Sequence, residues 1–129
     1  MGWNVGDTHE TVVVDDLKRT QIVQYAGASG DYNPLHTDEV FATKVAGYPS
    51  VFAHGMLTMG MTGRAVTDLV GAENLVSYGG RFTSQVWPGD TLTARVTVES
   101  VDGGVASFTV STVNQGGAEV FSGYASARA

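Results

Sequence analysis

The chain contains no cysteine and few basic residues, and both shortages restrict its chemistry. Without cysteine, a disulfide framework, a thiolate metal site and a cysteine nucleophile are excluded. Seven lysine and arginine residues against thirteen acidic ones give a net charge of −6. A nucleic acid needs a clustered basic surface, so we expect no nucleic-acid partner. The seven basic residues suffice only for a small phosphorylated ligand.

Histidines are also few, and no apolar run is long. None of the three, His9, His36 and His54, stands in a helical metal-binding pair or an H-E-x-x-H setting, so we expect no metal site. The chain shows neither a signal-like start nor an apolar stretch of membrane-spanning length, which predicts a soluble, cytoplasmic protein that does not enter membranes. Its 129 residues predict a single domain, residues 1–129.

The hydrophobic periodicity predicts an α+β domain in which an antiparallel five-stranded sheet wraps around one long helix. Asp15-Asp16 is the expected N-cap of the first helix, and Thr37 or Asp38 that of a short second helix that ends at Gly47. The last four strands are expected to form a hairpin-connected meander, with a bulge or bend at Gly79-Gly80. The predicted helices are 17–26, about 38–46 and 55–70; the strands are 10–14, one from 75, 91–98, 106–111 and 121–127.

The ionisable side chains best placed for joint chemistry lie in the loop Ser29-Gly30-Asp31-Tyr32-Asn33-Pro34-Leu35-His36. A glycine before Asp31 and the Asn33-Pro34 turn favour a fixed backbone. General acid-base catalysis needs two such groups near the same proton or water. The residues alone leave a second interpretation equally open, in which Asp31 caps a helix or closes an Asx-turn and His36 lies on the surface.

Gly55 stands at the predicted start of the long helix, after Ala53-His54. Backbone N–H groups at a helix start lack partners and carry partial positive charge. Because glycine lets a ligand approach the backbone closely, the Gly55 amide is a candidate oxyanion donor.

These segments resemble the MaoC-like (R)-specific enoyl-CoA hydratases, the type 2 hydratase-dehydratase family. The resemblance rests on the run from Tyr25 to His36, on Ala53-His54-Gly55-Met56-Leu57, and on Arg81-Phe82 and Pro88 to Leu92. It implies a hot-dog fold, a homodimer, and a substrate that is a coenzyme A or acyl carrier protein thioester, with no separate cofactor. It also implies that water adds reversibly to a trans-2-enoyl thioester, giving the (R)-3-hydroxyacyl thioester.

The resemblance assigns Asp31 and His36 as the catalytic pair, with His36 as base and Asp31 as acid during hydration, and the Gly55 N–H as oxyanion donor. Asn33, Ser29 and Tyr25 are candidates for supporting or substrate-binding roles, and His54 is expected to be structural.

Two other functions remain open at this point. One is an acyl-thioester hydrolase of the hot-dog fold, and the other is a subunit of a heterodimeric 3-hydroxyacyl-ACP dehydratase.

Overall fold

The computed structural model describes residues 2–129 and places five antiparallel strands in one sheet, ordered β1-β3-β4-β5-β2. The strands are β1 Thr8–Val14, β2 Leu75–Phe82, β3 Leu92–Asp102, β4 Val105–Val113 and β5 Glu119–Arg128. The helices are α1 Arg19–Ser29 and α2 Gly55–Val70, with a π-helical turn Phe41–Val45 and a 3₁₀ turn Ala72–Asn74. None of the helices within residues 2–129 combines the length and apolarity needed to cross a membrane.

The sheet wraps around α2, which confirms the predicted α+β hot-dog architecture. Val66 and Val70 of α2 pack against Phe108 and Phe121 of the sheet. A second cluster joins α1 to the sheet through Ile22, Leu92 and their neighbours. The core therefore continues around the start of α2, where the candidate site is expected.

The predicted meander of the last four strands is wrong in one connection. The β3–β4 and β4–β5 hairpins form as expected, but β2 pairs with β5 and lies at the edge of the sheet. Residues 83–91 do not form the expected hairpin between β2 and β3, because backbone groups of this segment are hydrogen-bonded to other parts of the chain. Thr83 N–H donates to Val120 O (3.0 Å) and Val86 O accepts from Ala53 N–H (2.8 Å).

The bulge predicted at Gly79-Gly80 is also wrong, because both residues keep regular pairing and the register shifts between Leu75 and Ser77 instead. These glycines serve close packing. A Cβ on Gly80 would lie 2.6 Å from Phe121 Cζ, and one on Gly123 would lie 2.3 Å from Gly79 O.

The first helix begins later than predicted and is not capped by Asp15 or Asp16. Its N-cap is Lys18, whose N–H donates to Gln21 Oε1 (2.8 Å). Asp15 instead accepts a hydrogen bond from the Thr91 hydroxyl (2.9 Å). The short second helix is the π-helical turn, whose N-cap position is Val40, and Asp38 Oδ1 accepts from the N–H of its first residue, Phe41 (3.1 Å).

Candidate active site

The loop that follows α1 holds Asp31 in a series of local hydrogen bonds. Ser29 Oγ accepts from Asp31 N–H (3.1 Å), Asp31 Oδ1 from Asn33 N–H (3.2 Å), and Asn33 Oδ1 from Leu35 N–H (3.0 Å). Asp31 does close an Asx-turn, which was one of the two interpretations that its sequence position left open. Its side chain is nevertheless exposed, and Oδ2 accepts no hydrogen bond within residues 2–129. One carboxylate oxygen thus orders the loop and the other remains free for a ligand.

His36 is buried, with 9% of its surface exposed, so the alternative interpretation that placed it on the surface is wrong. Its Nδ1 lies 2.6 Å from Phe52 O. A carbonyl only accepts, so Nδ1 carries the proton and Nε2 keeps its lone pair. Burial is the main cause that lowers the pKa of His36 below 6.5. The imidazole is therefore neutral near pH 7 and able to accept a proton.

Asp31 and His36 converge, and His54 joins them. A carboxylate oxygen of Asp31 and one ring nitrogen of each histidine all lie within 4.8 Å of one another. A single water molecule can bridge polar atoms across such a distance.

The two imidazoles are stacked, with centroids 3.8 Å apart and planes inclined by 25°. This geometry does not suit a metal ion. Zinc binds imidazole nitrogen at about 2.0–2.1 Å along a lone pair in the ring plane, and nearly parallel planes do not bring two lone pairs to one point.

Gly55 is the first residue of α2, and its N–H has no protein acceptor within residues 2–129. It lines a cavity of about 300 Å³ at the start of the helix. A Cβ on Gly55 would lie 2.8 Å from the ring of Phe82, so that ring leaves room only for glycine. The cavity walls are Phe52, Ala53, Gly55, Thr58, Phe82, Thr83, Ser84, Gln85, Val86 and Val120.

The sequence profile of the MaoC like domain family matches residues 3–118. The chain belongs to this family.

Curated relatives of this MaoC like domain carry related names. The chain is 37% identical over 116 residues to 3-hydroxyacyl-thioester dehydratase Y of Mycobacterium tuberculosis, covering 88% of this chain and 39% of that protein. It is 38% identical over 94 residues to the peroxisomal enoyl-CoA hydratase 2 of Arabidopsis thaliana, covering 70% of this chain and 30% of that protein. The chain therefore spans well under half the length of these relatives.

A solved structure is similar over nearly its whole length. The (R)-hydratase from A. caviae involved in PHA biosynthesis superposes with a TM-score of 0.85 at 28% identity, covering 98% of this chain and 96% of that one.

In this MaoC like domain, the other predicted site residues lie around the pair. Ser29 and Asn33 order the loop, whereas Tyr25 is half-buried and packs edge-on against His54 (centroids 4.9 Å apart). His54 donates from Nε2 to the main-chain oxygen of Asp31 (3.0 Å).

Sequence reasoning did not find the cavity wall formed by residues 82–86. Phe82 is the last residue of β2, and its position over Gly55 depends on the non-local pairing of β2 with β5. Thr58 also lines the cavity, and its buried hydroxyl has no partner within residues 2–129. In the sequence, the aromatic residue Phe82 beside Arg81 was the signal available for this part of the cavity wall.

Proposed function

We propose that the protein is an (R)-specific hydratase/dehydratase that interconverts trans-2-enoyl thioesters and (R)-3-hydroxyacyl thioesters. The observation that carries this proposal is the approach of the Asp31 carboxylate to the His36 imidazole within 4.8 Å. His36 is hydrogen-bonded to Phe52, which lines the same cavity as Gly55. The names of the relatives, a dehydratase, an enoyl-CoA hydratase and an (R)-hydratase, support the same reaction.

In the proposed hydration, Asp31 and His36 hold one water molecule between them. His36 Nε2 takes a proton from that water as its oxygen bonds to C3 of the enoyl group. Asp31, entering the step as the carboxylic acid, delivers its proton to C2, and the proton held by His36 then passes to Asp31, so that both groups end as they began. Dehydration follows the same steps in reverse. The fixed Nδ1–H donation to Phe52 supports the role of His36 as base, because it directs the free lone pair to Nε2.

Negative charge builds on the thioester oxygen as water adds, and the Gly55 N–H is the proposed donor to it. The amide is unpaired, lies at the positive end of α2 and borders the cavity. A donor placed for developing charge contributes about 3 to 4 kcal/mol to transition-state stabilisation.

The proposed substrate is a thioester of coenzyme A or of a carrier-protein phosphopantetheine, and no further cofactor enters the reaction. Lys44 and Arg81 make no ion pair within residues 2–129, so they are available to meet phosphate groups. The cavity volume is at the lower end of the roughly 300–1,000 Å³ typical of ligand pockets. A short acyl chain fits this size best, which makes crotonyl-CoA the first substrate to test.

We further propose that two copies of the chain pair through β2, which is an open edge of the sheet. Val76 and Phe82 of this strand are 55% and 47% exposed, and Tyr124 of the adjoining strand is also exposed. Unpaired edges with apolar side chains favour pairing with another chain. Light scattering is expected to give a dimer mass, and Val76→Lys is expected to shift it towards the monomer. A monomeric wild-type protein would refute this assembly.

The activity test uses purified protein with crotonyl-CoA, followed by the loss of enoyl absorbance and by a free-thiol assay. Hydration consumes the enoyl group without releasing thiol, and the product should be oxidised by an (R)-specific 3-hydroxyacyl-CoA dehydrogenase and not by an (S)-specific one. Thiol release would identify a hydrolase instead. Activity that appears only with a second, related chain would identify a heteromeric enzyme.

Two variants test the proposed pair. Asp31→Asn and His36→Ala should each lower kcat by about 100-fold or more, the usual contribution of a placed acid or base. Asp7→Asn and His9→Ala are matched controls, because both residues are exposed and lie in or before β1, outside the site. Near-normal activity of either site variant would remove that residue from the mechanism.

A further inference from the structure

His54 occupies the N-cap position of α2, and its ring is only 2% exposed. Three groups of the site surround it. Its Nε2 lies 3.0 Å from the main-chain oxygen of Asp31, its face stacks on His36, and its edge meets the ring of Tyr25. The ring therefore contacts both members of the proposed catalytic pair, without being either of them.

The hydrogen bond at Nε2 shows which ring nitrogen of His54 acts as donor. Because the Asp31 carbonyl only accepts, Nε2 carries a proton. Nδ1 is buried and has no partner within residues 2–129. His54 therefore directs one N–H donor at the Asp31 backbone.

We propose that His54 is a positioning residue, whose Nε2–H fixes the main chain at Asp31 and whose ring face fixes the plane of the His36 imidazole. This inference rests on the proposed function. Asp31 needs such a support because it is exposed and its own other hydrogen bonds, to Ser29 Oγ and from Asn33 N–H, are local turns between neighbouring residues. A misplacement of about 1 Å at a reacting group can cost about 100-fold in rate.

The two contacts can be removed separately. His54→Gln keeps an amide donor near the position of Nε2 but removes the ring. His54→Phe keeps a ring against His36 but removes the donor. His9→Gln and His9→Phe are matched controls at an exposed histidine that contacts Trp3.

The two variants should respond differently. His54→Phe should lower kcat by about 10- to 100-fold with little change in KM, the effect expected when a reacting group is displaced. His54→Gln should lower kcat by less, because the bond from Nδ1 to Phe52 O still holds the His36 ring, but it should raise the pH of the acidic limb of the kcat/KM profile. Removing the stacked ring exposes His36 to water, and burial is the main cause of its lowered pKa. The ionisable groups facing His36 are Asp31 and His54, and Asp31 is unchanged in both variants.

NMR titration of the His36 ring in the free protein provides a readout that does not need activity. The pKa of His36 should rise towards 6.5 in His54→Gln, which removes both the covering ring and the charge interaction with His54. It should rise less in His54→Phe, which keeps a ring that buries His36. An unchanged His36 pKa in His54→Gln, or wild-type kcat in a folded His54→Phe, would overturn the proposal. An inactive wild-type protein would refute the proposed function, while the titration would still decide whether His54 controls the surroundings of His36. If His54→Phe does not fold, the titration of His54→Gln decides alone.

Discussion

Asp90 is a buried carboxylate whose contribution to the stability of the fold can be measured directly. Its carboxylate is 6% exposed and accepts hydrogen bonds from Trp87 N–H (2.9 Å) and Gln115 Nε2 (2.9 Å). Its carbonyl also accepts from Leu17 N–H (2.9 Å), so the residue joins three separated parts of the chain. We predict that Asp90→Ala lowers the free energy of unfolding substantially.

The size of this loss follows from the two side-chain bonds. Hydrogen bonds to a charged group contribute about 1.5–3 kcal/mol each. Gln115 can turn its amide towards water, whereas the Trp87 N–H stays partly buried, so we expect a loss of about 2 to 4 kcal/mol. Domains are stable by only about 5–15 kcal/mol, so this is a large fraction. With a urea slope of about 2 kcal/mol/M, in the middle of the usual range, the midpoint should fall by about 1–2 M.

Urea unfolding followed by circular dichroism measures the effect. Asp90→Asn keeps one oxygen for Trp87 N–H and should lose about half as much as Asp90→Ala. Asp7→Ala, at an exposed residue whose side chain makes no hydrogen bond within residues 2–129, should stay within about 0.5 kcal/mol of wild type. A midpoint of Asp90→Ala equal to that of the wild type would refute the reasoning.

Three further predictions concern the site itself. The pKa of His36 is lowered in the folded protein, so its contribution to stability is fully present above pH 6.5 and is lost as the pH falls through the folded pKa. Urea midpoints at pH 7.5 and pH 5 should therefore differ more for wild type than for His36→Asn. Gly55→Ala should lower the urea midpoint, because a Cβ at residue 55 would lie 2.8 Å from the Phe82 ring and displace it. It should also lower kcat by about tenfold or more, as the methyl group and the displaced ring crowd the amide. Phe82→Ala should raise kcat/KM for octenoyl-CoA relative to crotonyl-CoA by enlarging the cavity, and an unchanged ratio would show that Phe82 does not limit chain length.

Local features of this chain were predictable because their causes lie within a few residues. The loop from Ser29 to His36 is ordered by turns between neighbours, and glycine and proline signal those turns directly. The start and end of α2 matched the expectation for the same reason, since Gly55 and Gly71 flank one periodic segment. The alternation in β3 and β4 identified both strands and their shared hairpin.

The pairing of β2 with β5 could not be predicted from local sequence patterns. A strand pattern states which face is covered but not which neighbour it pairs with, so β2 could lie beside β3 or at the far edge. Its central glycines also break the alternation that would have marked its inner face. Because β2 lies at the edge next to β5, Phe82 faces Gly55 and closes the cavity. The stacking of His36 on His54 depended likewise on how two loops meet.

One short segment, Phe52–Gly55, connects these observations. Phe52 O accepts a hydrogen bond from Nδ1 of His36, and His54 Nε2 donates one to the main-chain oxygen of Asp31. Gly55 contributes the unpaired backbone N–H at the start of α2. Because these contacts come from consecutive residues, a shift of this segment would move the base, the acid and the oxyanion donor together. Its position is set by Ala53 N–H donating to Val86 O, and Val86 directly precedes the Trp87 turn that Asp90 closes. The buried carboxylate of Asp90 therefore supports the alignment of the site through this connection, although it lies outside the cavity wall.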